Sequence, residues 1–166
     1  MLVVLRLVIG WHFLYEGLVK LLTPGWTAAE YLSVSNWILA PFFHWMADTP
    51  SVLAVVDFLN IWGLILIGVA LMLGLFTRVA AGFGMLMLAL YYLANPPFVG
   101  LDFGVPQEGH YLVINKTLVE FFALGIVALF PSRRFGLDAL KARLLKTSKP
   151  AKTAPAPSDS ETKMPE

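Results

Sequence analysis

Four stretches of this chain are apolar almost throughout: Met1 to Leu22, Val52 to Leu73, Thr77 to about Ala94, and Tyr111 to Phe130. Each is close to the ~20 residues that an α-helix needs to cross a hydrocarbon layer roughly 30 Å thick. Their ends carry the matching punctuation. Pro24-Gly25 stops the first, Pro50-Ser51 opens the second, and Asn95-Pro96-Pro97 stops the third. Gly74-Leu75-Phe76-Thr77-Arg78 makes a tight turn in which Thr77 is the expected N-cap of the third. The pattern predicts an all-α integral membrane protein, a four-transmembrane-helix bundle. Gly63, Gly68, Ala70 and Gly74 offer small contact points for close packing of neighbouring spans.

Between the first two spans the pattern changes. From Trp26 to Thr49 the aromatic residues Trp26, Tyr31, Trp37, Phe42, Phe43 and Trp45 alternate with Glu30, Ser33, Ser35, Asn36, His44 and Asp48. Tryptophan favours the membrane interface, so an interfacial helical segment is expected here, one or two short helices broken at Pro41 and placed to lid the bundle. Phe135 to Lys146 is amphipathic and basic and suits an anionic membrane surface, which extends the membrane domain over residues 1–146. Residues 147–166 are rich in Pro, Ala, Ser, Thr and Lys with nothing to bury, and are expected to form a disordered cytoplasmic tail. The first run has no basic leader before it and no small-x-small cleavage site after it, so it reads as a span rather than a signal peptide.

Composition agrees. Of 166 residues, 58% are hydrophobic and 14% charged, and the mean hydropathy is +0.72, too apolar for an ordinary soluble fold. The lipid bilayer is therefore the expected solvent. No cysteine is present, which removes disulfides, thiolate metal ligands and redox cycling through the chain's own thiols. The net charge of +1 conceals an asymmetry: Arg78, Arg133, Arg134, Lys141, Arg143 and Lys146 share one side of the membrane, whereas the loops Thr23 to Ser51 and Asn95 to Gly109 contain no lysine or arginine. By the positive-inside rule both termini face the cytoplasm of a bacterial cell, the chain being a multi-pass protein of its inner membrane. Nothing in the sequence suggests nucleic-acid binding, a phosphate loop or a nucleophile elbow.

Charged residues inside spans are costly and point to function. His12, Glu16 and Lys20 follow one another at i, i+4 and form a ladder along one stripe of the first helix, with Arg6 off that stripe near the helix start. Asp57 and Asn60 are the strongly polar members of the second span, Tyr91 and Tyr92 mark the end of the third, and Asn115, Lys116 and Glu120 open the fourth. Counting along spans of alternating direction, Arg6 is within snorkelling reach of the near interface, His12 sits close to the midplane, and Glu16, Lys20 and the polar residues of the other three spans all fall in the outer half of the membrane. One shared polar pocket explains this, with His12, Glu16, Asp57, Asn60, Tyr91, Asn115, Lys116 and Glu120 as its candidate ligand-binding residues. Lys116 and Glu120, four apart, are placed to help neutralise each other. The competing reading is a buried network that only fixes helix register. Lys20, near an interface, is expected to snorkel outward. His12 fits a proton relay or a helix-packing group, and His44 and His110 fit interfacial positions; with no paired histidine motif, no metal site is expected. Tyr91, Tyr92, Tyr111 and the tryptophans suit either an ordinary aromatic belt or a stack on a planar ring such as a quinone.

Three motifs now stand in order: Arg6-Leu7-x-x-Gly10-x-x-Phe13-x-x-x-Gly17-x-x-Lys20; Leu71-x-Leu73-Gly74-Leu75-Phe76-Thr77-Arg78-x-Ala80-Ala81; and Glu108-Gly109-x-Tyr111 with Asn115-Lys116-x-x-x-Glu120. Over Leu2 to Phe130 the chain resembles the DoxX family of small bacterial membrane proteins, including its DoxD-like branch. That resemblance implies a four-helix membrane protein and a link to membrane redox or thiol homeostasis, the branch taking its name from the small subunit of a thiosulfate:quinone oxidoreductase. It assigns no catalysis to particular positions. The expected role is an accessory or quinone-interacting subunit of a membrane redox system, with an oxidoreductase partner subunit, a quinone or small anion in the pocket, and no covalently bound cofactor. A small proton or anion transporter and a non-catalytic membrane anchor are the rival roles.

Overall fold

The structure is a computed structural model and describes residues 1–98 and 113–130. It is helical: α1 (Leu2–Leu22), α2 (Ala29–Ser33), α3 (Ala40–Asp48), α4 (Pro50–Leu73), α5 (Thr77–Ala94) and α6 (Lys116–Leu129). Helices α1, α4 and α5 are long and apolar enough to span a membrane. The expected basic segment at 135–146, the tail and the loop residues Asp102, Glu108, His110 and Tyr111 lie outside the described residues.

Helix α1 packs most extensively on α4, and α5 on α6; α4 against α5 and α1 against α6 close the bundle. In lipid, apolar side chains gain little by leaving the hydrocarbon, so the α1–α4 pair depends on close contact between small residues. Gly10 and Gly17 of α1 and Gly68 of α4 supply it: a Cβ on Gly68 would lie 2.5 Å from the Leu14 nitrogen and 2.8 Å from the Gly10 oxygen. Of the small positions picked out in the sequence, Gly68 is the contact; Gly63 faces only the Met87 side chain, and Gly74 serves the turn. Phe13, Ile67, Leu71 and Leu124 form the centre of the core, while Trp11, Phe58, Leu66, Phe83 and Phe122 point outward, as residues facing acyl chains do. Arg6, near the start of α1, is 4% exposed within the bundle.

Local chemistry sets the helix ends, and it moves two of them from where the sequence pattern put them. Gly74 adopts the left-handed conformation (φ 66°) and its N–H and that of Leu75 return to Leu71 and Ala70, which closes α4 with a Schellman turn. Phe76, also left-handed at φ 47°, is the N-cap of α5, so Thr77 is the first helical residue and not the cap. Helix α6 begins at Lys116 rather than near Tyr111, because Asn115 is extended and its Oδ1 accepts the Leu118 N–H at 2.9 Å. A side-chain cap of this kind outweighs an apolar run. At 14 residues α6 is about 21 Å long, shorter than a hydrocarbon layer on its own.

The segment between α1 and α4 is a fixed roof. Pro41 stands in the first turn of α3, where a missing N–H costs nothing, so it starts a helix rather than breaking one. Ala28, Leu32, Phe43 and Ala94 form a second small core beneath α2 and α3. Carbonyls in the last turn of α5 are met from this roof: the Ser35 hydroxyl donates to Ala94 O at 2.7 Å, and the Tyr31 hydroxyl donates at 2.9 Å to Tyr91 O, which also accepts the Asn95 N–H. His44 Nε2 in turn contacts Ser35 O at 2.9 Å, and Ser35 is fully buried. Ser35→Ala would leave the Ala94 carbonyl buried and unsatisfied, an expected loss of about 1–3 kcal/mol. Unfolding in detergent checks this: the midpoint should fall while Ser33→Ala, at an exposed hydroxyl on Glu30 O, leaves it nearly unchanged.

Candidate functional site

The C-terminal half of α1, the middle of α4, the end of α5 and the start of α6 surround a cavity of about 630 Å³ beneath the roof. Its floor is apolar: Phe13, Leu64 and Leu88 belong both to the cavity wall and to the bundle core. Its polar residues come from every side, His12, Glu16 and Lys20 from α1, Asn60 from α4, Tyr91 and Asn95 from α5, and Asn115, Lys116, Thr117 and Glu120 from α6. Trp26, Thr27, Glu30 and Tyr31 of the roof also line it.

Two arrangements divide this space. In the first, His12 Nδ1 meets Glu120 Oε1 at 2.7 Å, and His12 Nε2 faces Glu16 Oε1 at 3.9 Å. The helical rise explains both contacts: Glu16 is one turn along α1 from His12, while Glu120, one turn into α6, reaches across the bundle. With Glu120 ionised, Nδ1 carries the proton and donates, a short charge-assisted bond. The two carboxylates differ in surroundings, since the Glu16 side chain is 45% exposed and that of Glu120 only 10%. An imidazole placed between a wetter and a drier carboxylate can accept a proton on one nitrogen and release it from the other.

In the second arrangement, the Lys20 ammonium donates to Asn60 Oδ1 at 2.9 Å and lies over the rings of Trp26 and Tyr91, 5.1 and 5.3 Å from their centroids. It forms no ion pair among the described residues. Each ring contact is worth roughly 0.5–2 kcal/mol, against a cost of several kcal/mol for taking an ammonium out of water without a counter-ion. Beside it, the Tyr91 hydroxyl is buried next to the Asn60 amide, and among the described residues neither this hydroxyl nor the buried Asn95 Oδ1 has a hydrogen-bond partner of sound geometry. The other end of the Asn95 amide donates to Tyr31 O at 3.2 Å.

Of the eight candidate residues, His12, Glu16, Asn60, Tyr91, Asn115, Lys116 and Glu120 line this cavity. Asp57 does not. Its Oδ1 accepts the Ala28 N–H at 2.8 Å and so holds the roof at the start of α2. Asn115 reaches the wall with its side-chain oxygen already committed to capping α6. Lys20 corrects the expectation of outward snorkelling: it turns inward to Asn60 and the two rings. Tyr92 is outside the cavity, its hydroxyl donating to Val113 O at 2.8 Å. Glu30, Tyr31, Thr27, Asn95 and Thr117 were not singled out in the sequence; for Lys20 the signal was present, as the third rung of the ladder from His12. Among the described residues no group of three metal-ligating side chains occurs.

The family model described as DoxX matches residues 1–95, which takes in the first two sequence motifs and ends before the third. No curated protein and no solved structure gives a significant match.

Proposed function

The chain belongs to the DoxX family of membrane proteins, and on that premise we propose that it is the ligand-binding subunit of a membrane redox system. Its cavity receives a quinone head group, and Glu16, His12 and Glu120 handle the protons. The observation that carries this reading is His12 held between two carboxylates of unequal exposure at the wall of an aromatic cavity.

The residues present suit such a group. A volume of about 630 Å³ falls within the ~300–1,000 Å³ usual for small-molecule sites. Trp26, Tyr31 and Tyr91 offer ring faces, and the Lys20 ammonium and the Tyr91 hydroxyl offer donors for carbonyl oxygens. A bound quinone supplies two-electron, two-proton chemistry, and with no cysteine in the chain the electrons come from a partner oxidoreductase subunit. The chain's own work is to exclude lipid, orient the ring and deliver protons. Glu16, the more exposed carboxylate, takes a proton from water; His12 passes it across; Glu120 presents it inside. With the termini cytoplasmic, as the cation distribution implies, the cavity lies beneath the outer surface of the bacterial inner membrane. The apolar floor of Phe13, Leu64 and Leu88 favours this closed-ended site over a path for ions through the bundle.

The test is direct. Added to the full chain in detergent, a short-tailed quinone at a hundred times its dissociation constant should stabilise the protein by about 2.7 kcal/mol, seen as a melting midpoint raised by several degrees, and should quench tryptophan fluorescence. Absence of both effects would falsify the reading.

A further inference from the structure

The two polar arrangements of the cavity are not equivalent. His12 and Lys20 are eight residues apart on α1, or about 12 Å along the helix axis, so a small head group meets a different chemistry at each end. The His12 end is complete in itself, its imidazole bonded to Glu120. The Lys20 end is not. Its ammonium has three N–H groups, of which one goes to Asn60, and no carboxylate among the described residues lies within ion-pair distance. The buried Tyr91 hydroxyl, whose ring lies against the same ammonium, has no hydrogen-bond partner among the described residues. A cation with spare donors and an unused hydroxyl donor, both walled by aromatic rings, leave unmet one kind of atom: an electron-rich oxygen.

We propose that Lys20 and Tyr91 form an acceptor-oxygen subsite, which holds an anionic or strongly polarised oxygen of the ligand between ammonium and phenol, away from the His12–Glu120 pair. The ligand class is a planar head group bearing such an oxygen, whether a quinone carbonyl or a ring-borne carboxylate. This deepens the reading above and rests on the cavity being a ligand site. It fixes how the ring is oriented: one oxygen is held by Lys20 and Tyr91, and the opposite edge of the ring is left toward the proton-handling residues. Asn60 is a positioning residue here, since its side-chain oxygen holds the ammonium in place beside Tyr91.

Calorimetric titration of the full chain in detergent tests this with three probes: tetramethyl-1,4-benzoquinone, benzoate, and tetramethylbenzene, which has the ring without oxygen. The expected result is that the two oxygen-bearing probes bind at least ten-fold more tightly than tetramethylbenzene. Lys20→Met and Tyr91→Phe should each erase that advantage without changing the affinity for tetramethylbenzene, and Lys20→Arg should restore part of it. Tyr91→Phe keeps the ring in the cavity wall, so it remains informative if Lys20→Met fails to fold. Unchanged affinities in both variants would overturn the subsite while leaving a quinone site standing. Binding of benzoate but not of the quinone would support the subsite and overturn the quinone reading. No binding of any probe to folded wild-type protein would overturn both.

Discussion

Gly68→Leu is expected to prevent the bundle from assembling, with little or no folded protein recovered from the membrane. At this position even the first atom of a side chain has no room: a Cβ would stand 2.5 Å from the Leu14 nitrogen and 2.8 Å from both the Gly10 oxygen and the Leu14 Cα. All three are backbone atoms of α1, which cannot rotate away as a side chain can. Gly68→Ala forces α1 and α4 apart and should cost about 1–3 kcal/mol, the usual range for overpacking; leucine adds three more heavy atoms to the same clash. The separation also propagates. Lys20 reaches Asn60 across this helix pair, so spreading α1 from α4 opens the cavity as well as the core. Gly82 supplies the control, since nothing lies within 4 Å of its would-be Cβ; Gly82→Ala should be neutral or gain up to about 1 kcal/mol from helix propensity. Size-exclusion profiles and unfolding midpoints in detergent measure the series. A Gly68→Leu protein that folds and melts like the wild type would mean that α1 and α4 do not cross as described.

Height along the bundle was readable from the sequence, and direction around each helix only partly so. Position along a span is a matter of counting residues, which is why His12, Glu16, Asn60, Tyr91 and Glu120 fall at one level and meet at one cavity. Direction depends on how each helix is rotated, and two polar neighbours can part company. Asp57 and Asn60, three apart, point about 60° from each other on a helix, enough for one to hold the Ala28 N–H while the other faces Lys20. Lys20 itself was misjudged because proximity to an interface argues for snorkelling only when no inward partner exists. The partners that reverse the argument include Asn60 and the Tyr91 ring, on helices distant in sequence. The same limit applies to α6, whose apolar run suggested a longer helix than the Asn115 cap permits. Apolar length is a property of composition, whereas a cap depends on one side chain adopting one conformation.

Removing the imidazole and removing its partner should have opposite consequences for stability and the same consequence for function. His12→Leu leaves the Glu120 carboxyl, 10% exposed, without the group it bonds at 2.7 Å. The expected destabilisation is about 2–3 kcal/mol, within the range for a buried polar group that loses its partner. Adding Glu120→Leu removes the orphaned carboxyl altogether. The double variant should recover most of the lost stability, because a well-packed apolar pair in place of a buried ionic one is often neutral or better. Function separates the two roles of the pair. If it served only to hold α1 against α6, the stable double variant would still respond to a quinone as the wild type does. A proton carrier of the kind proposed above cannot be replaced by leucine, so proton uptake on chemical reduction of added quinone should fall at least a hundred-fold in the single and double variants alike. Glu120→Gln sharpens the distinction: its side-chain oxygen still accepts from His12 Nδ1 and should preserve the fold within about 1 kcal/mol, yet it carries no exchangeable acid proton. Melting midpoints and proton uptake measured on the same four proteins decide between clasp and relay, and a double variant that is both stable and active would reduce His12 and Glu120 to a structural clasp.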